Sequence, residues 1–187
     1  LLVEDSIRFY SSVLPNLYKF VLKQSQEFAT EALNEHQRTL RMRGRPKIVL
    51  ARSYEEAMHL YNRYQNNVLG VITDARYPRE GIVDPMAGIK LMAEIRKHDP
   101  FVPLILQSAE VDNRKYISQY EASFVDKNSK KMDVDLRDIV SDNFGFGDFV
   151  FRNPHTLEEV ARVRNLKELQ NIIFHIPTES YLYHVQR

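Results

Sequence analysis

Short apolar runs alternate with stretches of helical periodicity along most of this chain, and that alternation narrows the folds open to it. LLVED, KIVLA, VLGVITD, VPLILQS and SFVDK are apolar enough to be buried on one or both faces, as the strands of a helix-covered parallel sheet are. From Ser6 the residues Tyr10, Val13, Leu14, Leu17, Tyr18, Val21 and Leu22 recur at helical spacing, so a helix follows the first run directly. Ser53 and Glu56 have capping-box spacing and open a second helix. GIKLMAEIRKH from Gly88, DNRKYISQY and DVDLRDIV read as the third, fourth and fifth. Five strand–helix units predict an α/β domain with a parallel sheet between two helical layers.

The first helix is unusual in two ways. Pro15 falls inside it and predicts a kink, since an internal proline removes one backbone bond at a cost of roughly 3 kcal/mol. Its helical character also continues through FATEALNEHQRTL as far as Gly44 and Pro46. That is longer than crossing a sheet requires. The distal part, residues 24–43, is either a protruding arm or a second helix.

The pattern changes after Asp142. Residues 143–187 read as a small α+β extension. DFVFR and EVARV form a hairpin around Asn153-Pro154, with Asn165 and Glu168 spaced to cap a helix. The other reading of 156–173 is a single helix starting at Thr156 with Glu159 as its capping partner; the hairpin is preferred. The segment from Thr178 reads as a helix cut off at Arg187, and the whole extension as a connector to further protein. Leu1 already sits within a strand pattern, so native sequence is expected upstream.

Composition removes several function classes. Lys+Arg 26 against Asp+Glu 25 leaves a net charge of +1, with no global attraction to nucleic acid or anionic lipid. Without cysteine there is no disulfide, thiolate metal site or thiol nucleophile. No signal peptide and no bilayer-length apolar stretch is visible, so the expectation is a cytoplasmic protein that does not engage a membrane.

The chemistry sits where the apolar runs stop. They end on Glu4-Asp5, Asp74, Ser108 and Lys127, and the carboxyl ends of parallel strands are where open α/β sheets bind ligands. Two unit charges at 4 Å repel by about 4 kcal/mol at an effective dielectric of 20, so the three carboxylates need a cation to stay ionised together. Mg²⁺ suits a site of carboxylates, water and phosphate oxygens. Asp74 is then the nucleophile toward a phosphoryl group, with Lys127 and Ser108 each holding a phosphoryl oxygen.

The ordered set Glu4-Asp5, Asp74, Ser108-Ala109, Phe124 and Lys127 resembles the receiver domain of bacterial two-component response regulators, across residues 1–142. The resemblance implies a flavodoxin-like (βα)5 receiver fold with sheet order 2-1-3-4-5. It also implies Asp74 as phosphoacceptor, Asp5, Asp74 and the backbone carbonyl of Arg76 as direct Mg²⁺ ligands, and Glu4 acting through water. Ser108 and Phe124 would be the switch pair that changes the surface of the fourth helix, fifth strand and fifth helix. The implied partners are a sensor histidine kinase or phosphotransfer protein and an output module in the same chain. Turnover of a metabolite is not expected, because the only reaction is transfer to the domain's own Asp74. In the tail, GFGDFVFRNP and IPTESYLYH resemble the segment that joins a receiver to a pyruvate, phosphate dikinase-type phosphoenolpyruvate- and pyruvate-binding module.

Three features depart from the family. The loop 75–88, ARYPREGIVDPMAG, is longer than usual and is a candidate lid. Asn128 stands where proline is common, and the first helix is long. The rival reading is a pseudo-receiver that works as a phosphorylation-independent interaction platform. A haloacid dehalogenase-type phosphohydrolase needs a second aspartate two residues after the first, where this chain has Arg76. RMRGRPK (41–47) contains an AT-hook core but reads better as a basic helix end stopped by Gly44, so DNA is not an expected partner. The six histidines show no metal-ligand spacing. The distal first helix is the candidate arm for a homodimer, although its apolar positions are sparse for a coiled coil.

Overall fold

The structure is a computed structural model describing residues 1–30, 34–36, 39, 43–145, 148–156, 158–164 and 166–178. Its elements in chain order are β1 (Leu2–Val3), α1 (Ile7–Thr30), β2 (Leu50–Ala51), α2 (Tyr54–Tyr64), β3 (Val71–Asp74), β4 (Tyr77–Arg79), β5 (Ile82–Asp84) and α3 (Ala87–His98), followed by β6 (Leu104–Ser108), β7 (Ala122–Asp126), α4 (Met132–Asn143), β8 (Phe149–Arg152), β9 (Glu159–Val163) and α5 (Leu166–Ile172). Five parallel strands make the main sheet in the order β2-β1-β3-β6-β7. Setting aside the inserted β4–β5 hairpin, this is the expected 2-1-3-4-5 order, compatible with a flavodoxin-like α/β fold.

Strand alternation sorts the core into two layers. Val3, Ala51, Val71, Leu104 and Leu106 face α2 and α3, where Ala57, Tyr61, Leu91, Met92 and Ile95 close the layer. Leu2, Ile72, Ile105 and Val125 face α1 and α4, against Val13, Leu17, Leu136 and Val140. Full burial of such aliphatic side chains contributes about 1.5–3 kcal/mol each. Beneath β3, a Cβ on Gly70 would lie 2.2–2.6 Å from ring carbons of Phe144, so the missing side chain makes room for the aromatic ring.

In α1 the buried stripe is narrower than its periodicity suggests: Val13, Leu17 and Val21 are buried, while Tyr18 and Leu22 are exposed. The helix runs through Pro15 without interruption. Pro15 is on the exposed side, so the Ser11 carbonyl that loses its helical partner faces water. Beyond Thr30 the expected arm or second helix falls largely outside the described residues, as do Arg41 and Met42 of the basic tract. At the start of α2 half of the capping box forms, since Glu56 N–H donates to the N-cap Ser53 Oγ at 3.2 Å, while the Glu56 carboxylate accepts from Arg52 N–H, one residue before the cap, at 2.7 Å.

Two connections depart from the sequence reading. The expected fourth helix is a 3₁₀ turn, Val111–Tyr116, followed by further turns before β7. Asp112, Asn113 and Ser118 favour caps and turns over helix interiors, and Glu121 takes a left-handed backbone at φ 45°. Arg96 of α3 fixes the end of this segment by donating to the carbonyls of Tyr120 at 2.8 Å and Glu121 at 3.4 Å. The long loop after Asp74 is the hairpin β4–β5, turning through Glu80 (φ 55°) and Gly81 (φ 77°). It is fastened to α2, since Glu80 N–H donates to Glu55 Oε1 at 2.9 Å and the Arg79 guanidinium lies 5.1 Å from the Tyr54 ring centroid.

After α4 the extension forms the preferred hairpin, with Phe149 opposite Val163 and Phe151 opposite Ala161. Asn153 Oδ1 accepts from His155 N–H and Thr156 N–H and shapes the turn. Asn165 and residues 179–187, on which the helix cap and the final helix were expected, lie outside the described residues. No described helix is long and apolar enough to cross a membrane.

Candidate phosphoacceptor site

Because β1 lies between β2 and β3, the chain leaving β1 sets Glu4 and Asp5 beside Asp74, the last residue of β3. One ligand atom from each of these three carboxylates lies within 4.8 Å of the others. Lys127 follows β7, and its side chain reaches across the end of β6. Its Nζ is 2.5 Å from Glu4 Oε2 and 2.7 Å from Asp74 Oδ2, with only 3% of the lysine side chain exposed. The ammonium also lies 4.3 Å from the centroid of the Phe9 ring, one turn into α1, a cation–π contact that favours the charge where water is excluded.

Backbone groups complete the frame. Ser6 N–H donates to Glu4 Oε1 at 3.1 Å, and Ala75 N–H donates to Asp74 Oδ1 at 2.7 Å. Burial pushes the Glu4 carboxyl above its usual range and the Asp74 charge adds to the rise, while Lys127 opposes it. Burial likewise raises Asp74 more than Lys127 lowers it. Three carboxylates against one ammonium leave a formal excess of two negative charges. An all-oxygen donor set with that excess fits a hard divalent cation such as Mg²⁺.

Ser108 ends β6, next to Asp74 in the sheet, but its hydroxyl turns elsewhere. Ser108 Oγ accepts from Glu110 N–H at 3.0 Å and from Asn113 Nδ2 at 2.9 Å. Phe124 is half-buried on the α2/α3 face of β7, and the Arg114 guanidinium lies 5.1 Å from its ring centroid. Arg76 is exposed two residues beyond Asp74. The structure thus brings Glu4, Asp5, Asp74 and Lys127 into one cluster and keeps the side chains of Ser108 and Phe124 engaged with the 3₁₀ turn.

Four further residues matter here that sequence reasoning did not single out for the site. Phe9 supports Lys127, and Asn113 and Arg114 hold the side chains just described. Gln107 is the register partner of Asp74, so both side chains lie on the same face of the sheet. It is 1% exposed, and its Nε2 has no hydrogen-bond partner among the described residues. Its polarity in the otherwise apolar run PLILQS was the available signal. Compared with known proteins, the chain matches no family model and no curated sequence.

Proposed function

We propose that this chain is a phosphoacceptor domain of the receiver class, in which Asp74 takes a phosphoryl group in the presence of Mg²⁺. The observation that carries this reading is the Lys127 ammonium shared between Glu4 and Asp74 at the ends of adjacent parallel strands. Glu4, Asp5 and Asp74 would hold the cation together with the Arg76 carbonyl, and bound Mg²⁺ supplies the positive charge that lets a phosphate approach an anionic nucleophile. One carboxylate oxygen of Asp74 forms the bond to phosphorus. The bond from phosphorus to the donor's leaving group breaks, and that group departs with the electron pair. Lys127, already paired with the nucleophile, follows the negative charge onto a phosphoryl oxygen, and the Ser108 hydroxyl donates to another. A phosphohistidine on a kinase or phosphotransfer protein is the donor of matching chemistry, and the modified state is read by an output module through the surface around β7 and α4.

Incubation of the full chain with acetyl phosphate and Mg²⁺, followed by intact-mass analysis, tests this. The expected result is one base-labile phosphoryl adduct that needs Mg²⁺ and is absent from Asp74→Asn. No adduct, with Mg²⁺ binding also undetectable, would replace this reading with that of a phosphorylation-independent interaction platform.

A further inference from the structure

The 3₁₀ turn Val111–Tyr116 touches both members of the expected switch pair through two adjacent side chains. Asn113, 8% exposed, donates to Ser108 Oγ at 2.9 Å, and Glu110 N–H donates to the same oxygen at 3.0 Å. A hydroxyl oxygen has two lone pairs, so both are committed to this segment. The next residue, Arg114, sets its guanidinium carbon 5.1 Å from the Phe124 ring centroid. Beyond the turn, Arg96 ties the chain to α3 through the Tyr120 and Glu121 carbonyls.

We infer that Asn113 and Arg114 are positioning residues that hold Ser108 and Phe124 in the unphosphorylated arrangement, so that this one turn sets how fully Asp74 is phosphorylated. The inference rests on the phosphoacceptor reading. Swinging Ser108 Oγ toward a phosphoryl oxygen breaks both of its present hydrogen bonds. It leaves the Asn113 amide buried and unpaired, which is unfavourable until the turn itself repacks. Repacking carries Arg114 off the Phe124 ring, because the two residues are consecutive. A hydroxyl at the site is thereby coupled to an aromatic ring on the neighbouring strand.

The test compares native protein, Asn113→Leu, Arg114→Met, Ser108→Ala and the double variant Ser108→Ala/Asn113→Leu, the double variant being read against Ser108→Ala. Steady-state occupancy of the adduct is measured with acetyl phosphate and Mg²⁺, alongside the thermal unfolding midpoint. Asn113→Leu should raise the ratio of modified to unmodified chain about fivefold, the equivalent of one net hydrogen bond, and the gain should vanish in the Ser108→Ala background. Arg114 is exposed, so Arg114→Met should fold normally and raise the ratio by about twofold. An adduct in the native protein with no change in either single variant overturns this inference alone. So does a gain from Asn113→Leu that persists without Ser108. Absence of an adduct from the native protein overturns the phosphoacceptor reading and this inference with it.

Discussion

The Cβ that Gly88 lacks would lie 1.9 Å from the carbonyl oxygen of Asp74. The first turn of α3 therefore packs directly on the backbone of Asp74, and the Gly88 N–H donates to the Ala75 carbonyl at 3.0 Å. Because the obstacle is backbone, a side chain here cannot be accommodated by a rotamer change. Gly88→Ala should cost about 1–3 kcal/mol, the usual range for an overpacked core, and should shift Asp74 relative to Lys127. Urea unfolding checks the first effect and adduct formation the second. A variant as stable and as readily modified as the native chain would refute this account of the contact.

Lys127 is the only cation among the described residues bonded to the site carboxylates. Lys127→Met leaves Glu4 and Asp74 buried with no counter-charge, a loss of about 3–5 kcal/mol when the carboxylates are ionised. Both carboxyls are already held above their ordinary values of 4.5 and 3.8. The native state therefore binds more protons than the unfolded chain just above those values, and stability from these groups falls as pH rises through that window. In the variant the window extends further upward. The difference in unfolding free energy between native and Lys127→Met should accordingly be larger at pH 8 than at pH 5, and equal penalties at the two pH values would contradict the assignment.

Among the described residues, the buried amide nitrogen of Gln107 has no hydrogen-bond partner. Replacing an unpaired buried donor by an apolar group of similar shape removes a desolvation cost of about 1–3 kcal/mol. Gln107→Met should therefore melt at the same temperature as the native chain or higher. A clearly lower midpoint would mean that the amide contributes a stabilising bond in the folded state.

The strands were legible as short continuous apolar runs and most helices by their periodicity, and the carboxylates and Lys127 were legible because they end those strands. Strand order came from the family resemblance, since spacing does not say which strands are neighbours. The β4–β5 hairpin escaped notice because its strands are three residues each, and its turn puts Glu80 in a left-handed conformation that no local signal announces. The fourth helix was overestimated from DNRKYISQY, whose Asn113 bonds to Ser108 and whose far end is held by Arg96 from another helix. Phe9 lies far from Lys127 in sequence and meets it only through the fold, whereas Asn113 and Arg114 touch Ser108 and Phe124 only because the expected fourth helix is a 3₁₀ turn.

The hairpin after Asp74 also has a practical consequence. At its base the buried Tyr77 hydroxyl takes a hydrogen bond from Thr73, the residue before Asp74, at 3.2 Å. At its tip a Cβ on Gly81 would meet nothing within 4 Å. The protein thus carries a short mast, rooted one residue from Asp74 and open at the top. A fluorophore attached at the neighbouring Ile82, which is 74% exposed, would report on the strand that bears Asp74 while position 81, at φ 77°, keeps its glycine.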